Sequence, residues 1–367
     1  MRKKIIDLGM HPYADTFISK NQLKLSEPIY PLECYLDVNS SLVSLGIETS
    51  PDERYNLYDY SYTSSNSEYS KNYWNKYAND VHQKLNSKEN SKTLEIGSND
   101  GYLLSRFKKL GHNTLGIDSS EIMNNIAREN GIKSQCGIFN FEYSELIKKE
   151  FMNFDLIIAN NVFNHANDPF NFAKGVKNIL SKNGVFIFEL PYWYDTVKDK
   201  RFDQIYHEHV SYFTVKSAVN VLKKEGLNVY KVEHTKYHGG SIRVFSSITP
   251  NVIDESIQKF IQQEEELGLF DENFYIKYMN DIKSSRANLL IKINNIILKG
   301  KPIVAVGAAA KGNTLLNYYG LNNTIIDYIT DSSIHKIGKF TPLSRIPILS
   351  DQEVFSKYDK VYALILS

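Results

Sequence analysis

Four consecutive residues, Tyr206, His207, Glu208 and His209, have side chains that could carry acid–base chemistry. Histidine titrates near neutral pH, so this segment could supply a general base. Two histidines beside a carboxylate also fit a metal clamp, and all of these residue types are common on ordinary surfaces. On an extended segment His207 and His209 would lie on one side, as in a His-x-His metal site, and Glu208 on the other. No third ligand occurs at a recognised spacing, which weakens the metal hypothesis.

The composition of the 367-residue chain, with 42% apolar and 23% charged residues, is typical of a globular protein with several domains. The formal net charge of +1 provides no attraction to nucleic acid or to an anionic membrane. No apolar run is long enough to span a bilayer, and the first residues lack the apolar segment of a signal peptide. We therefore expect a cytoplasmic protein with no nucleic-acid or membrane partner. We also expect a monomer, although no sequence feature determines the oligomeric state.

The elements that must position these side chains are short apolar strands that alternate with amphipathic helices. Strands are predicted at 92–98, 113–118, 154–161 and 184–191, and helices at 101–111, 119–130 and 169–184. This alternation predicts an α/β fold with a doubly wound, parallel sheet of the Rossmann-like type. A turn and strand follow at 238–245 and a long helix at 272–300, after which the α/β pattern begins again.

The same pattern divides the chain into three parts. We predict an N-terminal module at 1–70, a central cofactor-binding domain at 71–250 and a C-terminal α/β domain at 251–367. The N-terminal module ends in a polar, tyrosine-rich stretch, which predicts an ordered loop that leads into a helix.

A glycine-containing turn with the sequence LEIGSNDGYLL, at residues 94–104, is the strongest cofactor signal. Glycine lets the backbone approach a ligand closely, and the start of the following helix offers unpaired N–H groups. The dinucleotide fingerprint requires glycine at position 99, where this chain has asparagine, so the turn favours a cofactor without a pyrophosphate, namely S-adenosylmethionine. Asp118 ends the next strand, where ribose hydroxyls would lie. The alternative is a plain strand-to-helix turn. The predicted cofactor-binding residues are Glu95, Gly97, Ser98, Asn99, Gly101, Asp118, Asn160 and Asn161.

Six motifs occur in the order found in the S-adenosylmethionine-dependent sugar C-methyltransferases: EIGSNDGYLL, ANNVFNHANDP, FELPYWYD, FDQIYHEHVSYFT, HGGSIRVF and GAAAKGNTLLNYYG. The chain resembles this family over nearly its whole length. Its members methylate nucleotide-linked keto-deoxysugars for antibiotics and bacterial surface polysaccharides, with S-adenosylhomocysteine as the other product. The resemblance therefore implies such a substrate, together with a zinc-binding N-terminal module, a methyltransferase core and a C-terminal α/β domain.

The chain departs from the family in its N-terminal module, where relatives usually hold zinc with two Cys-x-x-Cys pairs. Only Cys34 and Cys136 are present, and Asp37 and Ser40 stand at the positions of the second pair. Because a closed tetrahedral site needs those thiolates, we expect no zinc, with packing around residues 42–45 holding the module. The chain also ends where relatives continue through another helix, so the C-terminal domain is either naturally short or truncated.

The resemblance implies catalytic roles for Tyr206, Glu208 and His209, which match a Tyr-x-Glu-His pattern in the family. A carbon next to a ketone is a weak acid, so its methylation needs a base, donors that stabilise the enolate and an aligned methyl group. We expect His209 to remove the proton and Glu208 to orient the substrate or the base. His207 is expected to be structural.

Three more residues match active-site positions of the family. His165 corresponds to a second active-site histidine, and Tyr60 and Tyr62 fall in an aromatic stretch that reaches over the sugar in relatives. We expect Tyr206, His165 and one of these two tyrosines to contact the keto oxygen or neighbouring hydroxyls.

Substrate contacts are predicted for five further residues, namely Tyr192, His238, Arg243, Lys311 and Asn313. Lys311 lies at a strand-to-helix junction where it could meet a diphosphate, and the resemblance implies that the C-terminal domain helps to hold that group. The alternative for this junction is a structural turn with a capping lysine. His238 precedes a Gly-Gly turn whose open backbone could meet substrate.

These observations together predict a C-methyltransferase that removes a proton next to the ketone of a nucleotide-linked keto-deoxysugar and methylates the enolate. Two alternatives stay open. One is O- or N-methylation of a similar sugar, which needs no base for a carbon acid. The other is a non-catalytic binding protein that retains the fold.

Overall fold

The computed structural model describes residues 1–50, 54, 63, 65 and 67–366. Its strands form three sheets, of four, seven and four strands. None of the helices in these residues combines the length and the apolar character needed to cross a membrane.

Strands and helices alternate along most of the chain. The strands are β1 (Arg2–His11), β2 (Tyr30–Asp37), β3 (Val43–Leu45), β4 (Lys92–Ile96), β5 (Asn113–Asp118), β6 (Ser134–Cys136), β7 (Phe154–Asn160), β8 (Leu180–Pro191), β9 (Ser211–Tyr212), β10 (Asn228–Thr235), β11 (Ser241–Ser247), β12 (Ile303–Val306), β13 (Tyr328–Thr330), β14 (Ile348–Leu349) and β15 (Tyr362–Ile365). The α-helices are α1 (Glu68–Lys84), α2 (Tyr102–Lys109), α3 (Glu121–Glu129), α4 (Phe141–Phe151), α5 (Pro169–Ile179), α6 (Trp193–Lys198), α7 (Val215–Lys224), α8 (Ser256–Leu267), α9 (Glu272–Ile297), α10 (Ala310–Tyr319) and α11 (Asp351–Phe355). Short 3-10 helices lie at Lys20–Lys24, Phe163–His165, Phe202–Gln204 and Tyr237–Gly239.

The N-terminal sheet is antiparallel, with the strand order β1-β2-β3-β9. In β2 the buried residues are Leu32, Cys34 and Leu36, the alternation expected of a strand with one face in the core. β9 comes from the central part of the chain and pairs with β3. This pairing anchors the segment that contains residues 206–209 to the N-terminal module.

The central sheet has the order β10-β11-β8-β7-β4-β5-β6, in which β11 runs antiparallel to both neighbours. β4 to β8 run parallel, and buried residues such as Leu94, Ile157 and Phe186 are apolar because helices cover both faces. The chain passes from β4 outward to β5 and β6, and later to β7 and β8 on the other side. Strand order therefore reverses at β4, and the carboxyl ends of β4 and β7 border a crevice, the place where open α/β sheets bind ligands.

The C-terminal sheet is parallel, with the order β14-β13-β12-β15. It shares a hydrophobic core with the N-terminal sheet, because Ile6 and Leu36 of that sheet belong to the same cluster as Ile282 of α9 and Leu316 of α10. The first and last parts of the sequence are therefore packed together, and both border the central domain.

The predicted doubly wound α/β core is confirmed, and the predicted central strands coincide with β4, β5, β7 and β8. The structure shortens one predicted helix and excludes the extended conformation that the His-x-His alternative requires. The helix predicted at 169–184 ends at Ile179, because Leu180 already pairs with Phe154 as part of β8. Residues 206–209 are not extended, because they follow the 3-10 helix Phe202–Gln204 and form a turn.

Candidate active site

The predicted cofactor turn follows β4, and its glycine is required by geometry. Gly97 has a φ of +73°, and a Cβ atom there would overlap Cγ2 of Val162. The N–H groups of Gly97 and Ser98 donate to the Ile117 carbonyl of β5 at 2.7 and 3.0 Å. Asn99 also has a positive φ, +49°, which asparagine tolerates better than most residues. The turn is therefore held tightly against the end of the sheet.

Two buried carboxyl groups flank this turn. Asp118, at the end of β5, accepts hydrogen bonds from the N–H of Asn99 at 2.8 Å and of Ser120 at 2.9 Å. Burial raises the pKa of Asp118. Burial, together with the nearby Asp100 and Asp118, raises the pKa of Glu95 well above its usual value.

A cavity of about 1150 Å³ opens at the carboxyl ends of β4 and β7 and extends to the C-terminal domain. It brings together most of the residues predicted for the site. Those that line it are Glu95, Gly97, Asn99, Asp118, Asn160, Asn161, His165, Tyr206, Glu208, His209, His238 and Lys311.

The cofactor half of this cavity fits a polar ligand such as S-adenosylmethionine. Oε2 of Glu95 is buried and accepts no hydrogen bond from any residue that the structure describes, and the polar atoms of the Asn160 amide are buried at the cavity wall near the Tyr77 hydroxyl. Buried polar groups are normally paired, so the Glu95 oxygen is arranged for a ligand. Glu95, Asn160 and Asp118 would hold the cofactor.

In the turn around His209, both nitrogens of its ring have a partner. Nδ1 faces the Gln204 carbonyl at 3.2 Å, and because a carbonyl only accepts, Nδ1 carries the proton. Nε2 lies 2.7 Å from the Tyr206 hydroxyl. This geometry leaves Nε2 as the nitrogen that can accept a proton.

His165 lies beside His209, and the two ring centroids are 5.0 Å apart. Burial and the Arg54 guanidinium lower the pKa of His165 to about 3. Burial and His165 hold the pKa of His209 well below its usual value. Both histidines are therefore neutral at physiological pH, the form that a general base requires.

Glu208 also faces the cavity, whereas the adjacent His207 turns away from it. Oε1 of Glu208 accepts a hydrogen bond from the N–H of Asp15 at 3.0 Å, and burial raises the pKa of Glu208 to about 7. His207 points to the Pro31 carbonyl at 3.2 Å and packs against Tyr13. The turn therefore directs Glu208 into the cavity and His207 away from it.

His238 and Lys311 enter the cavity from two further elements. His238 has a φ of +51° and precedes two glycines with positive φ, so a tight turn aims its ring inward. Burial lowers the pKa of His238 to about 4. Burial also lowers the pKa of Lys311, at the start of α10, while the nearby Asp203 carboxylate opposes that shift.

Three residues predicted to contact substrate do not line the cavity, and their side chains bind other parts of the protein. The Tyr192 hydroxyl donates to Glu264 at 2.7 Å inside the core. The Arg243 guanidinium forms a buried ion pair with Glu189 at 2.8 Å, and Asn313 donates to a backbone carbonyl at a domain boundary. Each position is polar but buried, which the motifs alone could not reveal.

Two predicted cofactor residues also have structural roles. Ser98 is buried and approaches the Ser134 hydroxyl at 3.5 Å. Gly101, with a φ of +74°, begins α2, and a Cβ atom there would press on Ala127 and Ile132. Tyr60 and Tyr62 lie outside the described residues, so their predicted place over the sugar stays a prediction.

Several lining residues were not predicted from the sequence. Gln204 supplies the carbonyl for His209, and Asp15 supplies the N–H for Glu208, and both line the cavity. Lys336 lines the C-terminal wall and donates from Nζ to the Ala308 carbonyl at 2.7 Å. No local pattern marks these residues, because their roles come from backbone atoms or from packing between domains.

In the N-terminal module, Cys34 and the residues at the positions of the second cysteine pair make contacts within the protein. Cys34 is buried in the N-terminal sheet, and burial raises the pKa of its thiol. Asp37 accepts hydrogen bonds from the N–H groups of Asn39 and Ser40 at 3.0 and 2.8 Å and so closes a turn. In the described part of the chain no three His, Cys, Asp or Glu residues are grouped closely enough to hold a metal ion. The expected lack of zinc stays a prediction.

Comparisons with known proteins find similarity to methyltransferases. Residues 69–232 match a family described as a methyltransferase domain, and residues 236–367 match a C-methyltransferase C-terminal domain. The C-methyltransferase NovU of Streptomyces niveus is 26% identical over 363 residues, which cover 98% of this chain and 86% of that protein. A ubiquinone biosynthesis O-methyltransferase of Pelagibacter ubique (strain HTCC1062) is 31% identical over 97 residues, 26% of this chain and 40% of that protein. The crystal structure of an S-adenosylmethionine-dependent methyltransferase from Clostridium acetobutylicum matches 51% of this chain and 94% of its own, at 17% identity and a TM-score of 0.40.

The seven-stranded sheet, the turn after β4 and the match over residues 69–232 define the class of protein, an S-adenosylmethionine-dependent methyltransferase. The second domain match and the relative that spans almost the whole chain specify it further. Together these matches support an S-adenosylmethionine-dependent C-methyltransferase.

Proposed function

We propose that this enzyme methylates a carbon next to the ketone of a nucleotide-linked keto-deoxysugar. The observation that carries the proposal is the hydrogen-bonded pair of Tyr206 and the buried His209, which lies in the same cavity as the cofactor turn and as Lys311 of the C-terminal domain. The cavity volume of about 1150 Å³ exceeds the ~300–1,000 Å³ of a usual small-molecule site, so it has room for cofactor and substrate together.

The first step is removal of a proton from the substrate carbon by Nε2 of His209. S-adenosylmethionine, when bound, supplies the electrophilic methyl group. For Nε2 to accept the proton, the Tyr206 hydroxyl must turn its own hydrogen from His209 to the keto oxygen of the substrate. That rotation frees the base and places a donor where negative charge develops on the enolate oxygen. The electron pair of the broken C–H bond would then form the new carbon–methyl bond, while the pair of the methyl–sulfur bond would stay on sulfur and leave S-adenosylhomocysteine.

Glu208 and His165 complete the proposed sugar site. Oε2 of Glu208 is buried and has no hydrogen-bond partner among the described residues, so it is available to a sugar hydroxyl. His165 is neutral and lines the same wall as His209. A neutral imidazole donates from one nitrogen and accepts at the other, which suits a hydroxyl beside the ketone.

The C-terminal wall suits the diphosphate of the substrate. The start of α10, at Ala309 and Ala310, lines the cavity together with Lys311 and Lys336. Helix N-termini and lysine side chains both stabilise phosphate oxygens. The diphosphate would thus anchor the substrate at one end, while the sugar lies against the base at the other.

The experiment that tests this function uses S-adenosylmethionine carrying a 13C-labelled methyl group and a panel of nucleotide 4-keto-6-deoxysugars. Carbon–carbon coupling in the product should show the label on a carbon next to the former ketone. A label attached to oxygen or nitrogen would contradict the proposal. Transfer to other classes of acceptor, with none to any keto-deoxysugar, would contradict it as well.

A further inference from the structure

The peptide group between Ala14 and Asp15 contacts side chains from two other parts of the chain. Its N–H, which belongs to Asp15, donates to Oε1 of Glu208 at 3.0 Å. Its carbonyl, which belongs to Ala14, accepts a hydrogen bond from Nδ2 of Asn313 at 2.6 Å. One planar group of the N-terminal module therefore lies between an active-site carboxyl and an amide of α10.

These contacts are well shielded from water. Asn313 is 1% exposed, Ala14 3% and Glu208 6%. Because a carbonyl only accepts, the amide of Asn313 must present its NH2 group to Ala14. The next residue, Thr314, donates from its hydroxyl to the Ile205 carbonyl at 3.1 Å, so α10 is also fixed to the segment that carries the base.

We propose that Asn313 is a positioning residue for Glu208 and acts through the Ala14–Asp15 peptide group. This inference rests on the proposed function, in which Glu208 is an active-site carboxyl. The peptide bond is planar and polarisable, so a hydrogen bond to its oxygen strengthens its N–H as a donor. Asn313 thereby fixes the orientation of Glu208 and stabilises its ionised form.

As a consequence, packing of the C-terminal domain against the N-terminal module affects the orientation and the ionisation of Glu208. Without α10 in place, the Ala14 carbonyl would lose its buried partner and the loop at Asp15 would be free to shift. The same helix carries Lys311 into the cavity. One helix thus sets both a proposed substrate contact and the state of Glu208.

Among the described residues, the Asp15 carboxyl and the Tyr212 hydroxyl both interact with Glu208: the charge of Asp15 contributes to the raised pKa of Glu208, and the charge of Glu208 contributes to the raised pKa of Tyr212. Burial raises the pKa of Asp15, and the nearby Lys336 and Lys339 oppose that shift. These groups are unchanged in every variant below, so differences between variants report on the hydrogen bonds alone.

The amide proton of Asp15 offers a readout that does not depend on catalysis. In protein labelled with 15N-aspartate, its chemical shift should follow the ionisation of Glu208 as pH is varied. The chemical shift should change in two steps with pH, one for the Glu208 carboxyl and one for the Asp15 carboxyl. Glu208→Gln shows which step belongs to Glu208, because that variant should retain only the step of Asp15. In Asn313→Leu, which removes the donor at similar size, the Glu208 step should move upward by about half a pH unit.

The matched control is Thr314→Val, which removes another buried hydrogen bond between α10 and the central domain without touching the Ala14–Asp15 peptide. It should leave the Glu208 step at its wild-type pH. An unmoved step in Asn313→Leu, or an equal shift in Thr314→Val, would overturn the inference. If Asn313→Leu does not fold, Asn313→Ala serves the same comparison. Failure of methyl transfer to keto-deoxysugars would instead refute the proposed function and leave this titration unaffected.

Discussion

The Tyr206 hydroxyl lies 2.7 Å from Nε2 of His209, while Nδ1 of the same ring faces the Gln204 carbonyl at 3.2 Å. Both partners come from the residues just before His209 in the sequence. The orientation of the base is therefore set by one local turn, and its burial by the surrounding domains. In the proposed mechanism the Tyr206 hydroxyl turns its hydrogen away from Nε2 before His209 accepts a proton.

Replacing His209 tests its role as the base. His209→Asn should lower the rate of methyl transfer by about 10²–10⁴-fold, the usual contribution of a general base. The affinity for S-adenosylmethionine, measured by calorimetry, should be nearly unchanged, because the residues predicted to hold the cofactor lie on β4, β5 and β7. A wild-type rate in this variant would remove His209 from the mechanism.

The neighbouring histidine provides a matched control. His207 lies outside the cavity and points to the Pro31 carbonyl. His207→Asn should therefore cost about 1 kcal/mol of folding free energy, the usual value of one hydrogen bond, and retain methyl transfer when folded. If His207→Asn and His209→Asn lost equal activity, the loss would come from damage to the structure of the segment and not from removal of a base.

The turn after β4 is tested by adding one methyl group. Gly97→Ala would place a Cβ atom against Val162 and force the turn to move, so affinity for S-adenosylmethionine should fall by at least about tenfold, or 1.4 kcal/mol. Gly111→Ala is the control, because Gly111 also has a positive φ, +87°, but its nearest neighbour would be Cγ of Glu89 at 3.5 Å. If both variants bind the cofactor equally well, the turn does not form the binding site.

Much of the central fold could be predicted because its signals are local. The apolar runs at β4, β5 and β7 lead into polar or glycine residues, and the apolar run at 184–191 within β8 has the length of a buried strand. Asp118 and Asn160 end β5 and β7, and Asn161 follows β7, so the parallel topology alone brings them to one edge of the sheet.

The remaining site residues could not be predicted because their roles depend on contacts distant in sequence. Arg243 lies in the same motif as His238, yet only the fold shows that it pairs with Glu189 in the core. Asp15 reaches the site through a backbone N–H, which any residue except proline could supply. β9 has only two residues, too few for a periodic pattern, and its pairing with β3 decides where the base segment lies.

The structural role of Arg243 predicts a loss of stability. Arg243→Met leaves Glu189 buried without its charged partner, which should lower the free energy of unfolding by about 3–5 kcal/mol in a denaturant titration. The double variant Arg243→Met/Glu189→Gln should recover part of this loss. The KM for substrate should stay near that of wild type at a temperature where the protein is folded. A large rise in KM without loss of stability would place the guanidinium on the substrate.

His112 predicts how stability depends on pH, far from the cavity. It is 4% exposed and contacts Thr93 at 2.7 Å and His82 at 2.9 Å, and burial lowers its pKa to about 4. Between pH 6.5 and 4 the unfolded chain takes up a proton that the folded protein does not, so stability falls as pH falls through this window. His112→Asn should reduce that fall by about 2 kcal/mol, with allowance for screening. Unfolding measured at several pH values should show the shallower slope, and identical slopes would refute the assignment.

Exchange of hydrogen at the substrate carbon tests the central claim most directly. In heavy water, with S-adenosylhomocysteine in place of the methyl donor, the wild-type enzyme should introduce deuterium next to the ketone of its nucleotide sugar, and His209→Asn should not. Mass spectrometry of the recovered sugar detects the change. Exchange that persists in His209→Asn at the wild-type rate, or methyl transfer to carbon by an enzyme that shows no exchange, would contradict proton removal by His209.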